Sequence, residues 1–569
     1  MQKRGNSMNV HPVTLEVVRN SLVAYSEDMA TALCKSAYNM MIYEVRDYCC
    51  GLIDLEGRMI SQNKGGLPIF LADLGAAVLD GIERFGLDGF EPGDAIIMNH
   101  AETCGQHLNN ICIYTPCFHD GELVAFAANR AHWVDVGGTR VGFGSYATNE
   151  IFQEGLQLRS IKIYEAGKRN EAVWQILTDN LRFPESSLGD LRAQIASCHL
   201  GERRLSEAFG RYGIETVNAC IAEIWDQSEA EAREVVAAIP DGVYRAESVL
   251  DNDGRTLDVP LDVKVTVTVA GDEMTVDYSD MNPQVPTPLN SGFSGGLAAA
   301  RVAFKCLTMP DAPVNEGCFR SLKLISPAGT ILNAKSPAAI GLWSIMLPTV
   351  IDTILKALAT AMPDKVPAAH KGDMGGVSFY GYREGDGRRF LLMNIFGGGW
   401  GGRPTGDGES AAVSICQGDV RNVPIEVQET NFPFIVEEFG LRADSGGPGE
   451  HRGGFGTVIT YRCLQKTSAN INLERIVQPP WGILGGGDGH SNVAIIRRVD
   501  GSEERATKET NIQLHAGDRV TFLTAGGGGY GDASNRERAA IEADLREDLI
   551  TPQAAADQYG FVPSSEAAE

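Results

Sequence analysis

The chain has 569 residues, 43% of them hydrophobic and 22% charged, globular values that exclude a disordered or fibrous protein. That length exceeds what one core can serve, so about three or four domains are expected. A formal net charge of −25, from 49 basic and 74 acidic residues, repels phosphate backbones and anionic lipid, which excludes nucleic acid and membrane surfaces as partners.

The twelve cysteines include no CxxC pair, and Cys112, Cys117, Cys306 and Cys463 sit in apolar runs where a small buried thiol is the default. Residues 1–7 are polar and basic with no apolar core behind them, unlike a secretory signal. The most apolar long segment, 338–362, contains Pro348, Asp352 and Lys356, so it reads as a buried helix and not a membrane span. A cytoplasmic protein with reduced thiols is expected.

In chain order, residues 12–38 read as a helix, with Leu15, Val18, Leu22, Tyr25 and Met29 on one face. Segments 47–53 and 58–60 bracket a hairpin-like Leu55-Glu56-Gly57 step, and 71–85 reads as an amphipathic helix. The most informative stretch follows, GQHLNNICIYTPCFHDGELVAFAANRAHWVDVGG at 105–138. Apolar runs 111–118 and 123–128 flank Asp120-Gly121, the strongest short-range hairpin signal. A two-residue loop pairs His119 with Glu122, and by simple counting Asn110 with Ala131 and Asn109 with His132. Opposed residues lie about 5 Å apart, so His107, Asn110, His132 and Asp135 converge at the hairpin's mouth. Two imidazoles with oxygen donors suit a first-row divalent ion. A satisfied histidine pair at a strand end is the other reading.

Residues 202–236 read as one long helix closed by Pro240-Asp241-Gly242. The period then changes: 263–269 and 274–278 alternate around Gly271-Asp272 as half-buried strands. Segments 294–307 and 349–362 return to helix, and 390–395 is a strand entering a glycine run. Beyond it 457–463, 493–498 and 520–523 read as short strands, and 536–558 as a helical tail. The expected class is mixed α/β (α+β), multidomain. Residues 1–240 form an N-terminal α/β domain with the hairpin, 241–395 a central α+β domain, 396–532 a β-rich glycine-loop domain and 533–569 a helical tail.

Sixty-five glycines include four clusters, at 397–402, 446–456, 482–489 and 526–531. The last satisfies GxGxxG, but no strand carrying an acidic residue follows within about twenty positions as a dinucleotide fold requires. No GxxxxGK[ST] occurs. Tight turns between short strands are expected for most clusters. The exception is 397–407, GGGWGGRPTGD, where Arg403 and Asp407 stand beside the glycines as candidate cofactor-binding residues.

Several longer stretches match a known pattern in order: RDYCCGLIDLEGRMISQ (46–62), the GQHLNN and NRAHWVDVGG blocks, IFQEGLQLRSIKIYEAGKRNE (151–171), GDLRAQIASCHLGERRL (189–205), PVNEGCFRSL (313–322), ERIVQPPWGILGGGDG (474–489) and TAGGGGYGD (524–532). Over nearly its whole length the chain resembles the hydantoinase B/oxoprolinase family, which includes partner subunits of ATP-dependent N-methylhydantoinase, caprolactamase, and acetone or acetophenone carboxylases. The resemblance implies one subunit of a heteromer whose hydantoinase A-like partner, an actin-like ATPase, binds ATP. It implies a small cyclic amide or ketone as substrate. It also implies a divalent metal site, zinc before manganese, with the family's HxxD…H motif falling on His107, Asn110 and His132 and a further acid on Asp47.

Two departures stand out. Position 110 is Asn where the family carries Asp, and a neutral amide is the weaker ligand, so Asp47 and Asp135 would have to supply negative charge. Residues 67–71 read LPIFL, with Gly66 and Phe70 where hydantoinase and oxoprolinase members carry histidines, which favours a lactam or ketone. The expected function is ATP-dependent opening of a hydantoin, oxoproline or lactam ring. A ketone carboxylase subunit and a non-catalytic scaffold with a degenerate site are the alternatives. Expected catalytic roles are proton transfer by His100 or Glu102, and orientation of a ligand imidazole by Asp135.

Overall fold

In the computed structural model, which describes residues 10–142 and 144–562, the first helix runs Pro12–Ser36 and buries Leu15, Val18, Leu22, Met29 and Leu33. It packs along a second long helix, Pro184–Tyr212. Both lie on one face of a seven-stranded antiparallel sheet. Its spatial order is Met59–Gln62, Tyr48–Ile53, Glu122–His132, Asn110–His119, Ala95–Met98, Ile161–Glu165, Lys168–Arg169. Alternate side chains serve opposite cores: Ile111 and Ile113 join the two helices, whereas Cys112 and Tyr114 face a larger core. A sheet covered on both faces is a rigid platform for whatever stands at its end.

The larger core is shared with helices Phe293–Thr308 and Trp343–Leu358 and with a second sheet, ordered Leu322–Ile325, Glu273–Asp277, Leu261–Ala270, Gly242–Leu250. There Val263, Val265, Val267 and Val269 are buried at every second position, as the alternation requires. A third sheet has the order Arg389–Ile395, Gly376–Tyr382, Thr467–Asn472, Lys508–Leu514, so strands from both sides of residue 396 pair within it. It shares a core of Phe379, Phe434, Tyr461 and Phe522 with a fourth sheet, Phe434–Leu441, Thr457–Cys463, Arg519–Leu523, Val493–Arg497, Glu503–Ala506.

Several expectations change. The helix expected over 202–236 is two helices, Pro184–Tyr212 and Ile214–Ala237, broken where Gly213 takes φ 83°. The tail is likewise two short helices, Arg538–Arg546 and Pro552–Tyr559. All twelve cysteines are free, and Cys306 is exposed where its apolar run had suggested burial. No helix among the described residues is long and apolar enough to cross a membrane.

The glycine clusters are not mainly tight turns. Of their glycines only Gly485 and Gly531 have positive φ, joined by Leu484 at φ 52°. The others let extended segments lie directly on one another. A Cβ on Gly399 would stand 2.0 Å from the Gly454 carbonyl oxygen, and one on Gly527 would stand 1.8 Å from that of Trp400. The segments are joined by amides: Gly399 N–H donates to Ala525 O (2.9 Å), Gly402 to Gly528 (2.8 Å), Gly527 to Gly454 (2.9 Å) and Gly529 to Gly487 (2.8 Å). These N–H groups serve neighbouring carbonyls, and an anion cradle needs them turned outward.

Candidate functional site

The hairpin turns at Asp120 (φ 50°) and Gly121 (φ 84°), the two left-handed residues that a tight two-residue loop demands. His119 pairs with Glu122 and Phe118 with Leu123, as counting predicts. The register then slips at Cys117/Phe118: Cys117 pairs with Ala125, Val124 has no partner in the ladder, and every later pair moves by one. Asn110 therefore faces His132 and Ile111 faces Ala131, which corrects the expected Asn110–Ala131 and Asn109–His132 pairs. A bulge adds one residue to one strand and leaves the alternation on the other strand untouched, so counting from the turn misses it.

The slip assembles the site. His107, in the approach to the first strand, holds Asn110 through the Asn110 N–H to His107 carbonyl bond of 3.2 Å. Its ring meets that of His132 edge to face, with centroids 4.9 Å apart and planes at 80°. Asp47 immediately precedes its own strand, and its carbonyl accepts the His132 N–H at 3.1 Å. Asp47, His107, Asn110 and His132 thus line one cavity whose other walls include Leu67, Ile69, Phe70, Trp343 and Met393. None of the four is more than 5% exposed.

Burial sets their chemistry. The Asp47 carboxyl is pushed up to about 7 by loss of water, and its Oδ1 has no hydrogen-bond partner among the described residues. Burial lowers His107 to about 4, against the opposing pull of the Asn110 side chain and the Gly341 carbonyl. His132 falls well below its ordinary value through burial and then through His107. Near neutral pH both imidazoles are uncharged, the form in which an imidazole ligates a metal, and Asp47 is balanced between acid and base.

Behind this wall lies a network that motif reading missed. The Asn110 side-chain amide donates to Gln106 Oε1 at 2.8 Å, and Arg130 Nη1 donates to the same oxygen at 2.8 Å. Gln106 Nε2 donates to Asp73, which is also ion-paired with Arg130 at 2.7 Å. With the Gln106 oxygen fixed by Arg130, Asn110 must present its NH2 to it, which turns the Asn110 oxygen the other way. Gln106 and Arg130 lie beside or inside the HLNN and NRAHW blocks, and that proximity was their only sequence signal.

Among the described residues no three His, Cys, Asp or Glu side chains are grouped to hold a metal ion. The donor set at the cavity wall is two imidazoles, one carboxyl and, at the fourth corner, an amide.

The sequence profile of hydantoinase B/oxoprolinase matches residues 11–533. The chain belongs to the hydantoinase B/oxoprolinase family. It is 31% identical to the beta subunit of the caprolactamase of Pseudomonas jessenii over 97% of this chain and 96% of that one. It is also 31% identical to the B component of a putative D-/L-hydantoinase of Pseudomonas sp. (strain NS671) over 97% and 95%. The crystal structure of the ATP-dependent caprolactamase from Pseudomonas jessenii superposes with a TM-score of 0.92 at 29% identity, covering 98% of both chains. A nucleotide-free acetone carboxylase shares the fold, with a TM-score of 0.89 at 18% identity over 97% of this chain and 80% of that one.

In this family member the remaining sequence-derived candidates lie outside the cavity lining. Asp135 is buried, but its carboxylate receives Arg182 Nη1 (2.9 Å) and the N–H groups of Gly137 and Gly142 (both 3.0 Å), and so ties down the loop after the hairpin. His100 and Glu102 line a separate pocket with Phe152 and Lys335, where Glu102 accepts the Ser336 N–H at 3.3 Å. Arg403 is half exposed and pairs with Glu409 at 2.8 Å. Asp407 is held by Arg536 at 2.7 Å and by the Arg452 N–H at 2.9 Å, which joins the glycine segments to the C-terminal helices.

Proposed function

We propose that this chain is the substrate-bearing subunit of an ATP-dependent cyclic amide hydrolase, working in the cytoplasm with a hydantoinase A-like subunit that binds ATP. The net reaction joins a ring amide, two waters and ATP to give an open-chain amino acid, ADP and phosphate. The observation that carries this reading is the placement of Asp47, His107, Asn110 and His132 on one wall of an otherwise largely apolar cavity. The likeness to the caprolactamase beta chain over the whole length supports it. The mutual hydrogen bonding of the glycine segments supports assigning ATP to the other subunit.

Of the ionisable groups on this wall only the His107 and His132 rings are in contact among the described residues; a divalent cation, zinc or manganese, would be held by these two imidazoles and would draw on Asp47 and the Asn110 amide oxygen from the same wall as oxygen donors. The buried, unpartnered Asp47 Oδ1 fits that use, because a carboxylate oxygen shut from water is costly unless something positive meets it. When bound, such an ion supplies Lewis acidity toward a carbonyl oxygen and acidifies water. Everything else is done by the chain. Through the carboxylate oxygen not given to the cation, Asp47 takes a proton from the attacking water and returns it to the departing ring nitrogen as the carbon–nitrogen bond breaks. Gln106 keeps the Asn110 oxygen turned toward the ring. Leu67, Phe70 and Trp343 exclude bulk water, which strengthens each polar contact inside.

The test is co-purification with the native ATPase partner, followed by measurement of amino acid and ADP released from a lactam. Ring opening with stoichiometric ADP is expected. Fixation of labelled bicarbonate into a ketone without ring opening assigns the carboxylase reading instead. Asn110 favours a second reading, the scaffold, which corresponds to neither activity in a complex whose ATPase still turns over.

A further inference from the structure

The histidine-walled cavity is closed. Its free volume is about 40 Å³, room for about three waters, whereas a six-membered ring takes a cavity on the order of 150 Å³. A ring amide therefore reaches Asp47, His107 and His132 only after some part of the lining moves.

One part of the lining is thin. Residues 64–71 run between the cavity and a second pocket of about 380 Å³. Leu67, Ile69 and Phe70 line the cavity, whereas Gly65, Gly66, Pro68 and Leu71 line the pocket. Neighbouring residues of one segment thus face different chambers, and the thickness of a single chain separates the two. Leu67, Ile69 and Phe70, each 1% exposed, form the plug. The other walls include the helix Trp343–Leu358 and the third sheet, which are held by their own hydrogen-bond ladders.

The segment is pinned at its ends and lightly held between them. Asn63 accepts the Cys50 N–H at 2.8 Å and gives its NH2 to the Lys64 carbonyl at 3.0 Å. Arg301 holds the Leu71 carbonyl at 2.6 Å. Between these anchors two backbone hydrogen bonds tie the segment to 416–419: Ile69 N–H donates to Cys416 O (3.2 Å), and Asp419 N–H donates to Gly65 O (3.0 Å). Segments with so few ties open at low cost. Gly65 takes φ 69° and is followed by Gly66, a pair able to absorb the dihedral changes of a hinge.

The outer pocket suits a neutral ring. Val302, Pro310, Ala312, Pro313 and Val314 give it hydrocarbon walls, and the Lys305 ammonium is spent on the Met309 and Ala312 carbonyls. Cys306, which is exposed, stands in its wall.

We propose that residues 64–71 are a gate: the segment hinges at Gly65-Gly66, swings Leu67 and Phe70 out of the histidine-walled cavity, and joins it to the pocket beside Cys306, through which a small neutral ring enters. The inference rests on the reading that rings are opened at that wall, and adds the route by which they reach it.

The test follows acylation by diethyl pyrocarbonate, which attacks uncharged imidazoles and is larger than the closed cavity admits. Mass spectrometry of the chelated two-subunit complex reads it at His132 and, as a surface control, at exposed His11. Cys306→Trp, which narrows the pocket, is expected to slow acylation of His132 at least about tenfold, and Leu67→Ala, which removes part of the plug, to speed it at least about threefold, with His11 unchanged in both. Melting temperature is recorded on each variant, and Ala312→Trp fills the same pocket if Cys306→Trp does not fold. An equal rate at His132 in the parent and the Trp variant, or no gain in Leu67→Ala, overturns the inference. Ring opening is scored separately, and the Trp variant is expected to lose at least about tenfold in kcat/KM. Slowed acylation in a complex that opens no ring leaves the gate standing and removes the hydrolase reading, whereas ring opening at the parental kcat/KM with unslowed acylation does the reverse.

Discussion

Asn110 and His132 stand directly across from each other at the mouth of the hairpin because Val124, close to the turn, drops out of the ladder and shifts every later pair by one. One bulged residue thereby brings an amide and an imidazole onto the same cavity wall.

The amide at position 110 gives a first prediction. Asn110→Asp would place a carboxylate oxygen against Gln106 Oε1, which Arg130 holds in place. Without metal the variant should be less stable by about 1–3 kcal/mol, the usual cost of a buried polar group that loses its partner. With zinc or manganese it should retain the ion as well as or better than the parent, because a charged oxygen replaces a neutral one. Metal content after dialysis, with melting curves in the presence and absence of metal, checks both parts. Weaker retention in the variant would show that the amide has a role of its own.

The glycine segments give a second. A Cβ at Gly527 would sit 1.8 Å from the Trp400 carbonyl oxygen, whereas one at Gly440 has nothing within 4 Å. Gly527→Ala should therefore cost more than about 3 kcal/mol or abolish soluble expression, and Gly440→Ala should stay within about 0.5 kcal/mol of the parent. Denaturant unfolding of the two variants side by side is the measurement. Equal stability would mean that the segments are not packed backbone on backbone.

Glu154 gives a third, in pH. It accepts from the N–H groups of Ile340 and Gly341 at 3.0 and 2.8 Å, and so fixes the segment whose Gly341 carbonyl lies 3.4 Å from His107 Nδ1. Burial pushes its carboxyl up to about 7 despite those donors. A raised acid favours its neutral form in the fold. Its contribution is therefore most favourable below the ordinary value near 4.5 and is lost as pH rises from there through about 7. Relative to Glu154→Gln, the parent should lose about 1–3 kcal/mol of stability between pH 5 and pH 8. A gap between the two proteins that does not move with pH contradicts this.

How much of this was legible in the sequence depends on the range of each signal. The helix at Pro12–Ser36 and the alternating strand Leu261–Ala270 were legible because their periods are local. The break at Gly213 was not, because apolar positions continue on both sides of it. The clusters ending at Gly531 resembled turns or a nucleotide loop because chain-on-chain packing uses the same residue, and only the partner segments tell these apart. At the site, His107 and His132 followed from one hairpin, whereas Asp47 needed the family pattern. Asp135, His100 and Glu102 were drawn in by sequence proximity, and their side chains serve other contacts.

The central claim is that Asp47, His107 and His132 are where the ring is opened. The most direct measurement is lactam ring opening by the two-subunit complex carrying His132→Ala, with melting temperature recorded on the same preparation. The account predicts a loss of at least about 100-fold in kcat with the complex still assembled and folded. Ring opening at the parent rate in that folded complex would contradict it.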